Sequence, residues 1–164
     1  MKISILLVDD HAILRQGLNA LLAKEPDFEV IAETGDGLEA LELAERLQPD
    51  IIVLDLELPG LKGLEVLRQI QQRNPNIHVV VLSMYAKEAY VLEALRYGAL
   101  AYVLKGSDAN ELIQAIRYAV HESRYLSPPL SEQAIEDFLQ KAQGHTLAPY
   151  DLSLIHISEP TRPY

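Results

Sequence analysis

Short apolar runs alternate with longer segments of helical period along most of this chain, and this alternation is what most limits its fold. The predicted strands cover residues 3–8, 28–32, 51–54, 79–82 and 101–104. The first run is almost continuous in apolar residues, which is typical of a strand covered on both faces in a parallel sheet. We therefore expect the strands to form one buried parallel sheet.

A helix candidate follows each of these strands. The first helix has Leu14, Leu18, Leu21 and Leu22 on one stripe, and the others are predicted over residues 37–47, 63–73, 87–97 and 108–121. Five strand–helix units predict an α/β fold, a doubly wound parallel sheet with helices on both faces. Right-handed crossovers leave few topologies for such a sheet.

The charge balance limits what this polypeptide can bind. Its formal net charge is -10, with 14 basic residues among 24 acidic ones, which argues against a nucleic-acid-binding surface. No apolar run approaches the roughly 20 residues that span a bilayer, and residues 1–10 do not resemble a signal peptide. We expect a cytoplasmic protein with no membrane partner. The absence of Cys excludes disulfides and thiolate metal sites.

Polar side chains follow the predicted strands where each strand ends. Asp9 and Asp10 follow the first strand, Asp55 the third, Ser83 the fourth and Lys105 the fifth. In an open α/β sheet the ligand site lies beyond the carboxyl ends of the strands. We therefore expect these side chains to meet at one edge of the sheet.

The side chains at this edge suit phosphoryl chemistry. Clustered carboxylates resist joint ionisation, and a hard divalent cation, Mg2+, would relieve their repulsion. Lys105 could pair with a phosphate oxygen, and the Ser83 hydroxyl could donate to another. An Asp carboxylate is a competent nucleophile that forms an acyl phosphate, which makes Asp55 the candidate acceptor.

Four segments carry a family resemblance, and they occur in the order of that family: LLVDDHAILRQGL, VLDLELPGLKGLE, VVVLSMY and AYVLKG. Residues 2 to 122 resemble the receiver (CheY-like) domain of bacterial two-component response regulators. The resemblance implies a flavodoxin-like sheet of five strands in the order 2-1-3-4-5. It also implies a phosphoacceptor regulatory domain rather than an enzyme, with only self-catalysed phosphoryl transfer and autodephosphorylation.

The resemblance also implies a role for each site residue. Asp55 would be phosphorylated, Mg2+ would be held by Asp9, Asp10, Asp55 and the backbone carbonyl of Glu57, and the switch would use Ser83, Tyr102 and the phosphate-pairing Lys105. On phosphorylation the Ser83 hydroxyl would move toward the phosphoryl group, and Tyr102 would swing inward to fill the space.

This chain departs from the family pattern after the lysine. Gly106 stands where many members have proline, so no cis peptide bond is predicted there. The negative charge of Glu57, two residues after Asp55, could alter metal affinity or the lifetime of the phosphoryl group. His11 is interpreted as a residue at the start of the first helix.

Partners follow from the resemblance as well. The phosphoryl donor would be the phosphohistidine of a sensor histidine kinase, and phosphorylation would favour a partner contact, often a homodimer. YVLEALRYGALAYVLKG and the later RYLSP resemble the NarL/FixJ subfamily, whose members carry a LuxR-type helix-turn-helix. We expect a transcriptional regulator truncated before that domain, so that its parent protein binds DNA and this chain does not.

The expected organisation has three parts. Residues 1–122 form the receiver domain, and residues 123–151 form a connector with a helix over 131–143 and a linker. Residues 152–164 (LSLIHISEPTRPY) resemble a translated sequencing adapter rather than a natural protein end.

Other classes use similar features. A stand-alone receiver acting through protein contacts would carry the same residues, and the gene beyond residue 151 would distinguish it. A haloacid-dehalogenase-like phosphatase would need a second Asp where this chain has Glu57. A flavodoxin would need a phosphate-binding Ser/Thr/Gly loop after the first strand, where this chain has Asp9 and Asp10.

Overall fold

A computed structural model describes residues 2–127 and residue 130 of the chain. Strands and helices alternate along it. The elements are β1 (Ile3–Val8), α1 (Ala12–Ala23), β2 (Phe28–Thr34), α2 (Gly37–Leu47), β3 (Ile51–Asp55), α3 (Gly63–Arg73), β4 (His78–Ser83), α4 (Glu88–Arg96), β5 (Ala101–Leu104), α5 (Ala109–Val120) and β6 (Tyr125–Leu126). The predicted elements of the receiver segment are all present, with ends that differ by at most two residues.

All strands belong to one parallel sheet in the order β2-β1-β3-β4-β5-β6. The expected order 2-1-3-4-5 of the flavodoxin-like fold is thereby confirmed. The sheet also has one short strand beyond the five expected, because β6 pairs with β5 through Ala101–Tyr125 and Tyr102–Leu126. The sequence pattern assigned these two residues to a connector, since a two-residue strand has no detectable period.

The sheet is covered on both faces, as predicted. Side chains of one strand alternate between two cores: Leu6 faces the core built by α2, α3 and α4, whereas Ile5 and Leu7 face the core of α1 and α5. Along β3 every residue from Ile51 to Asp55 is buried. This double cover explains why the central strands are continuously apolar instead of alternating.

Local signals fix where the helices begin and end. The Asp108 carboxylate accepts a hydrogen bond from the backbone N–H of Asn110 at 2.9 Å, so the predicted cap of α5 is confirmed. α4 ends just before Gly98, whose φ of +106° favours glycine. α3 ends at Arg73, before the Asn74-Pro75 pair.

The predicted helix over 131–143, the linker and the tail over 152–164 lie outside the described residues. Within the described part, no helix has the length and apolar character needed to span a membrane.

Candidate functional site

The predicted polar residues meet at the carboxyl edge of the sheet. Asp9 directly follows β1, Asp55 ends β3, Ser83 ends β4 and Lys105 directly follows β5. β1 and β4 flank β3 in the sheet, so Asp55 lies between the ends of its neighbours. The parallel register therefore brings together residues that are far apart in sequence.

Three carboxylates form the centre of the site. Ligand atoms of Asp9, Asp10, Asp55 and His11 lie within 4.8 Å of one another. Asp9 and Asp55 are 1% and 0% exposed, whereas Asp10 is on the solvent side. Burial raises the pKa of the Asp9 carboxyl, and the neighbouring charge of Asp55 raises it further.

Lys105 supplies the positive charge of the site. Its side chain is 8% exposed, and its ammonium Nζ lies 3.0 Å from Asp55 Oδ2 and 3.8 Å from Asp9 Oδ2. The contact with Asp55 is an ion pair, and neither Nζ nor Oδ2 forms a hydrogen bond with the described residues. One ammonium therefore faces two buried carboxylates and leaves the cluster with excess negative charge.

The carboxylates fit a hard divalent cation. Oδ2 of Asp9 and Oδ2 of Asp55 are buried and accept no hydrogen bond from the described residues. Buried charged oxygens without hydrogen bonds are costly, and a second cation beside Lys105 would offset the charge that one ammonium leaves uncompensated. A donor set dominated by carboxylate oxygens suits Mg2+.

The loop after β3 is shaped by close packing. The Gly63 N–H donates to the carbonyl of Leu56, and a Cβ atom at Gly63 would lie 2.7 Å from the Asp55 carbonyl oxygen. Gly60 has a φ of +72°, which turns the chain before α3. Within this loop the backbone N–H of Glu57 donates to Asp55 Oδ1 at 2.8 Å, which orients the carboxylate.

Ser83 and Tyr102 both hold the loop that follows β4. The Ser83 hydroxyl oxygen accepts a hydrogen bond from the Tyr85 N–H at 3.0 Å, and the Tyr102 hydroxyl donates to the Tyr85 carbonyl at 2.7 Å. Tyr102 is fully buried, which raises the pKa of its phenol to about 12. Its ring thus already occupies an inward position.

Two contacts in the site were not predicted. The His11 ring lies at the start of α1, as predicted, but its Nδ1 is also 3.2 Å from Asp9 Oδ1. The Glu57 side chain was considered only as a charge, yet its Oε1 accepts a hydrogen bond from the Met84 N–H at 3.0 Å. Both contacts depend on loop conformations that no periodic pattern encodes.

The site opens to a cleft between the loops after β3 and β4. The cleft has a volume of about 480 Å³, and its lining includes Asp10, Glu57, Lys62, Tyr85 and Tyr90. The rings of Tyr85 and Tyr90 are stacked with centroids 4.9 Å apart. A small anionic group could reach the carboxylate cluster from this side.

A doubly wound parallel sheet with a buried acidic cluster and one paired lysine at its carboxyl edge places this chain among the open-sheet α/β proteins whose ligand site lies at the carboxyl ends of the strands. Comparison with known proteins narrows this class. The family model described as "Response regulator receiver domain" matches residues 5–117. The chain belongs to this family of two-component phosphoacceptor domains.

Individual relatives are regulators of transcription or signalling. The transcriptional regulatory protein DegU of Brevibacillus brevis is 39% identical over 84% of this chain and 58% of its own length. The nitrate/nitrite response regulator NarL of Escherichia coli K12 is 39% identical over 78% of this chain and 59% of its own. The chain thus spans under two thirds of both relatives.

A solved structure shows the same fold. The two-component response regulator of the LuxR family from Aurantimonas sp. SI85-9A1 superposes with a TM-score of 0.81 and is 37% identical; the match covers 85% of this chain and 99% of that one. The predicted NarL/LuxR-type relationship is thereby confirmed.

Proposed function

We propose that this chain is a phosphorylation-dependent switch whose acceptor is Asp55. The observation that carries the proposal is the buried Asp55 carboxylate, which Lys105 pairs at 3.0 Å and the Glu57 N–H orients at 2.8 Å. One carboxylate oxygen is thus fixed by the backbone, while the other has no hydrogen bond from the described residues. Such a carboxylate is held ready to act as a nucleophile.

The proposed reaction is an in-line phosphoryl transfer. An Asp55 oxygen forms a bond to phosphorus while the P–N bond to the phosphohistidine of a sensor kinase breaks. The imidazole leaves with the bonding pair, which a proton neutralises. Lys105 would compensate charge on the transferred group, and the Ser83 hydroxyl would donate to one of its oxygens. Water later hydrolyses the acyl phosphate and regenerates Asp55.

The residues that would hold Mg2+ are Asp9, Asp10, Asp55 and the backbone carbonyl of Glu57. When bound, the cation would offset the negative charge of the carboxylates and of the phosphoryl oxygens. Asp9 and Asp10 position that charge beside the acceptor. The Arg15 guanidinium donates to the Asp9 carbonyl at 2.5 Å, which fixes the backbone that carries the pair.

The response would begin in the loop after β4. A phosphoryl group adds roughly -1.5 to -2 charge and strong acceptor oxygens, which attract the Ser83 hydroxyl. Ser83 would then release the Tyr85 N–H, and Tyr102 would follow because its hydroxyl binds the Tyr85 carbonyl. The surface of α4, β5 and α5 would change with this loop, which shifts a population between two states.

The test is incubation with acetyl phosphate and Mg2+, followed by intact-mass measurement. We expect a gain of one phosphoryl group in the native chain and none in Asp55→Ala. Asp108→Asn is the matched control, because Asn also caps a helix and Asp108 is an exposed residue at the start of α5. No gain in the native chain, or an undiminished gain in Asp55→Ala, would refute the proposal.

The output proposed for the parent protein is transcription control. It is supported by DegU, a transcriptional regulatory protein, and by the LuxR-family regulator structure, each more than 30% identical to this chain. DNA would be bound through a part of the parent protein other than the receiver domain, and phosphorylation would favour a homodimer. Size-exclusion chromatography with and without acetyl phosphate tests the dimer. The cytoplasmic location stays a prediction.

A further inference from the structure

The Glu57 carboxylate joins the two loops that frame the acceptor. Its backbone N–H donates to Asp55 Oδ1 at 2.8 Å, while its side-chain Oε1 accepts the Met84 N–H at 3.0 Å. Met84 directly follows Ser83 at the end of β4. One residue of the loop after β3 therefore holds the backbone of the loop after β4.

This bridge satisfies one backbone N–H but buries a charged carboxylate, which costs free energy. The second oxygen, Glu57 Oε2, is buried and has no hydrogen-bond partner among the described residues. The carboxylate also lies close enough to Asp55 for their charges to repel, and burial and this repulsion together raise the pKa of Glu57. A neutral side chain would avoid both costs, so folding alone does not account for a glutamate here.

Phosphorylation of Asp55 would place a second anion beside the Glu57 carboxylate. A phosphoryl group on Asp55 would bring roughly -1.5 to -2 charge to the place where Glu57 is already repelled. The Met84 N–H lies at the same edge and is a donor that a phosphoryl oxygen could also use. The part of this charge that Lys105 and the cation do not offset would weaken the bridge as the phosphoryl group arrives.

We propose that Glu57 is a positioning residue that restrains phosphorylation: its carboxylate holds the β4–α4 loop through the Met84 N–H and must release this N–H when Asp55 is charged. The loop is also held through Tyr85, which forms hydrogen bonds with Ser83 and Tyr102. Glu57 thus adds an anion-sensitive tether to these neutral hydrogen bonds. This inference rests on the proposed function of Asp55.

Two substitutions distinguish the effect of the Glu57–Met84 hydrogen bond from the effect of the Glu57 charge. Glu57→Asp keeps the charge, but its side chain is shorter by one methylene and no longer reaches the Met84 N–H. Glu57→Gln keeps the reach and an acceptor oxygen but removes the charge. Glu42→Asp is the matched control, because its side chain is 73% exposed on α2.

The measurements are the phosphorylation rate with acetyl phosphate and Mg2+, followed by intact mass, and amide exchange at Met84 by NMR. A hydrogen bond to a charged group contributes roughly 1.5 kcal/mol or more, so we expect Glu57→Asp to be phosphorylated about tenfold faster. The Met84 amide should exchange faster in Glu57→Asp and stay protected in Glu57→Gln. Glu42→Asp should match the native chain in both measurements.

The outcomes are distinguishable. Suppose that Glu57→Asp is phosphorylated at the native rate and Glu57→Gln is phosphorylated faster. The charge of Glu57 alone would then slow phosphorylation, and the proposed role of the hydrogen bond to Met84 would be overturned. Unchanged Met84 exchange in Glu57→Asp would also overturn it, whatever the rates. Both of these results leave the phosphorylation of Asp55 intact. A native chain that gains no phosphoryl mass would instead overturn the proposed function and this inference together.

Discussion

The Lys105 ammonium lies 3.0 Å from Oδ2 of Asp55, and both side chains are almost completely withdrawn from solvent. Lys105 also faces Asp9 at 3.8 Å, so a single cation serves two buried carboxylates. Pairs of this kind are sensitive to the loss of one partner, because the remaining charge stays buried without compensation.

Replacing Lys105 by Met should therefore destabilise the protein. Met preserves most of the apolar stem but leaves the Asp9 and Asp55 carboxylates without a cation. In metal-free buffer we expect the free energy of unfolding to fall by roughly 3 kcal/mol, the usual cost of breaking a buried pair. Urea denaturation measures it, with Lys24→Met at the end of α1 as control. An equal fall in the free energy of unfolding in both variants would show that the pairing of Lys105 with Asp9 and Asp55 does not stabilise the fold.

The opposite sign is expected when a carboxylate is removed. Asp9→Asn keeps an acceptor oxygen for the His11 N–H, which donates to Asp9 Oδ1 at 2.8 Å, but it removes the repulsion with Asp55. In the presence of a chelator the variant should be more stable than the native chain by on the order of 1 kcal/mol.

With added Mg2+ the native chain should become more stable than Asp9→Asn. The native chain gains stability as the cation binds its folded state, by about 2.7 kcal/mol at a hundred times the dissociation constant, whereas Asp9→Asn gains much less. Thermal unfolding with chelator and with Mg2+ gives both values. A similar Mg2+ shift in the two proteins would argue that Asp9 is not a ligand.

Strands β1 to β5 and the site edge could be predicted because they rest on local signals. Continuous apolar runs marked β1 and β3, and each ended in a charged or hydroxyl residue that the parallel register then brought together. β6 was missed, since Tyr125 and Leu126 become a strand only by pairing with β5. The bridge from Glu57 to Met84 was missed for a similar reason, because it joins two irregular loops.

The buried phenol of Tyr102 should lose its proton at a higher pH than the exposed tyrosines do. Its pKa is raised to about 12 by burial, against about 10 in the unfolded chain. Because the folded state keeps its proton longer, the contribution of Tyr102 to stability is complete below about pH 10 and is lost as the pH rises toward 12. Absorbance at alkaline pH follows tyrosinate formation, and the difference between the native chain and Tyr102→Phe isolates this residue. A Tyr102 component that titrates with the exposed tyrosines would contradict the burial.

Two glycine-to-alanine substitutions should have opposite effects. At Gly63 an added Cβ would meet the backbone of Leu56 and would lie 2.7 Å from the Asp55 carbonyl oxygen, which cannot move without shifting the acceptor. At Gly17, within α1, a Cβ would meet nothing within 4 Å, and its φ is not positive.

We expect Gly63→Ala to lose roughly 1–3 kcal/mol, as overpacking does, and to be phosphorylated more slowly because the Asp55 backbone is displaced. Gly17→Ala should gain roughly 0.5–1 kcal/mol, because alanine loses less conformational entropy in a helix. Denaturant unfolding gives both stabilities, and intact mass after acetyl phosphate treatment gives both rates. Gly17→Ala serves as the control for rate, since its effect is confined to helix stability. If Gly63→Ala kept native stability and a native rate, the close packing of α3 against the acceptor strand would not be what positions Asp55.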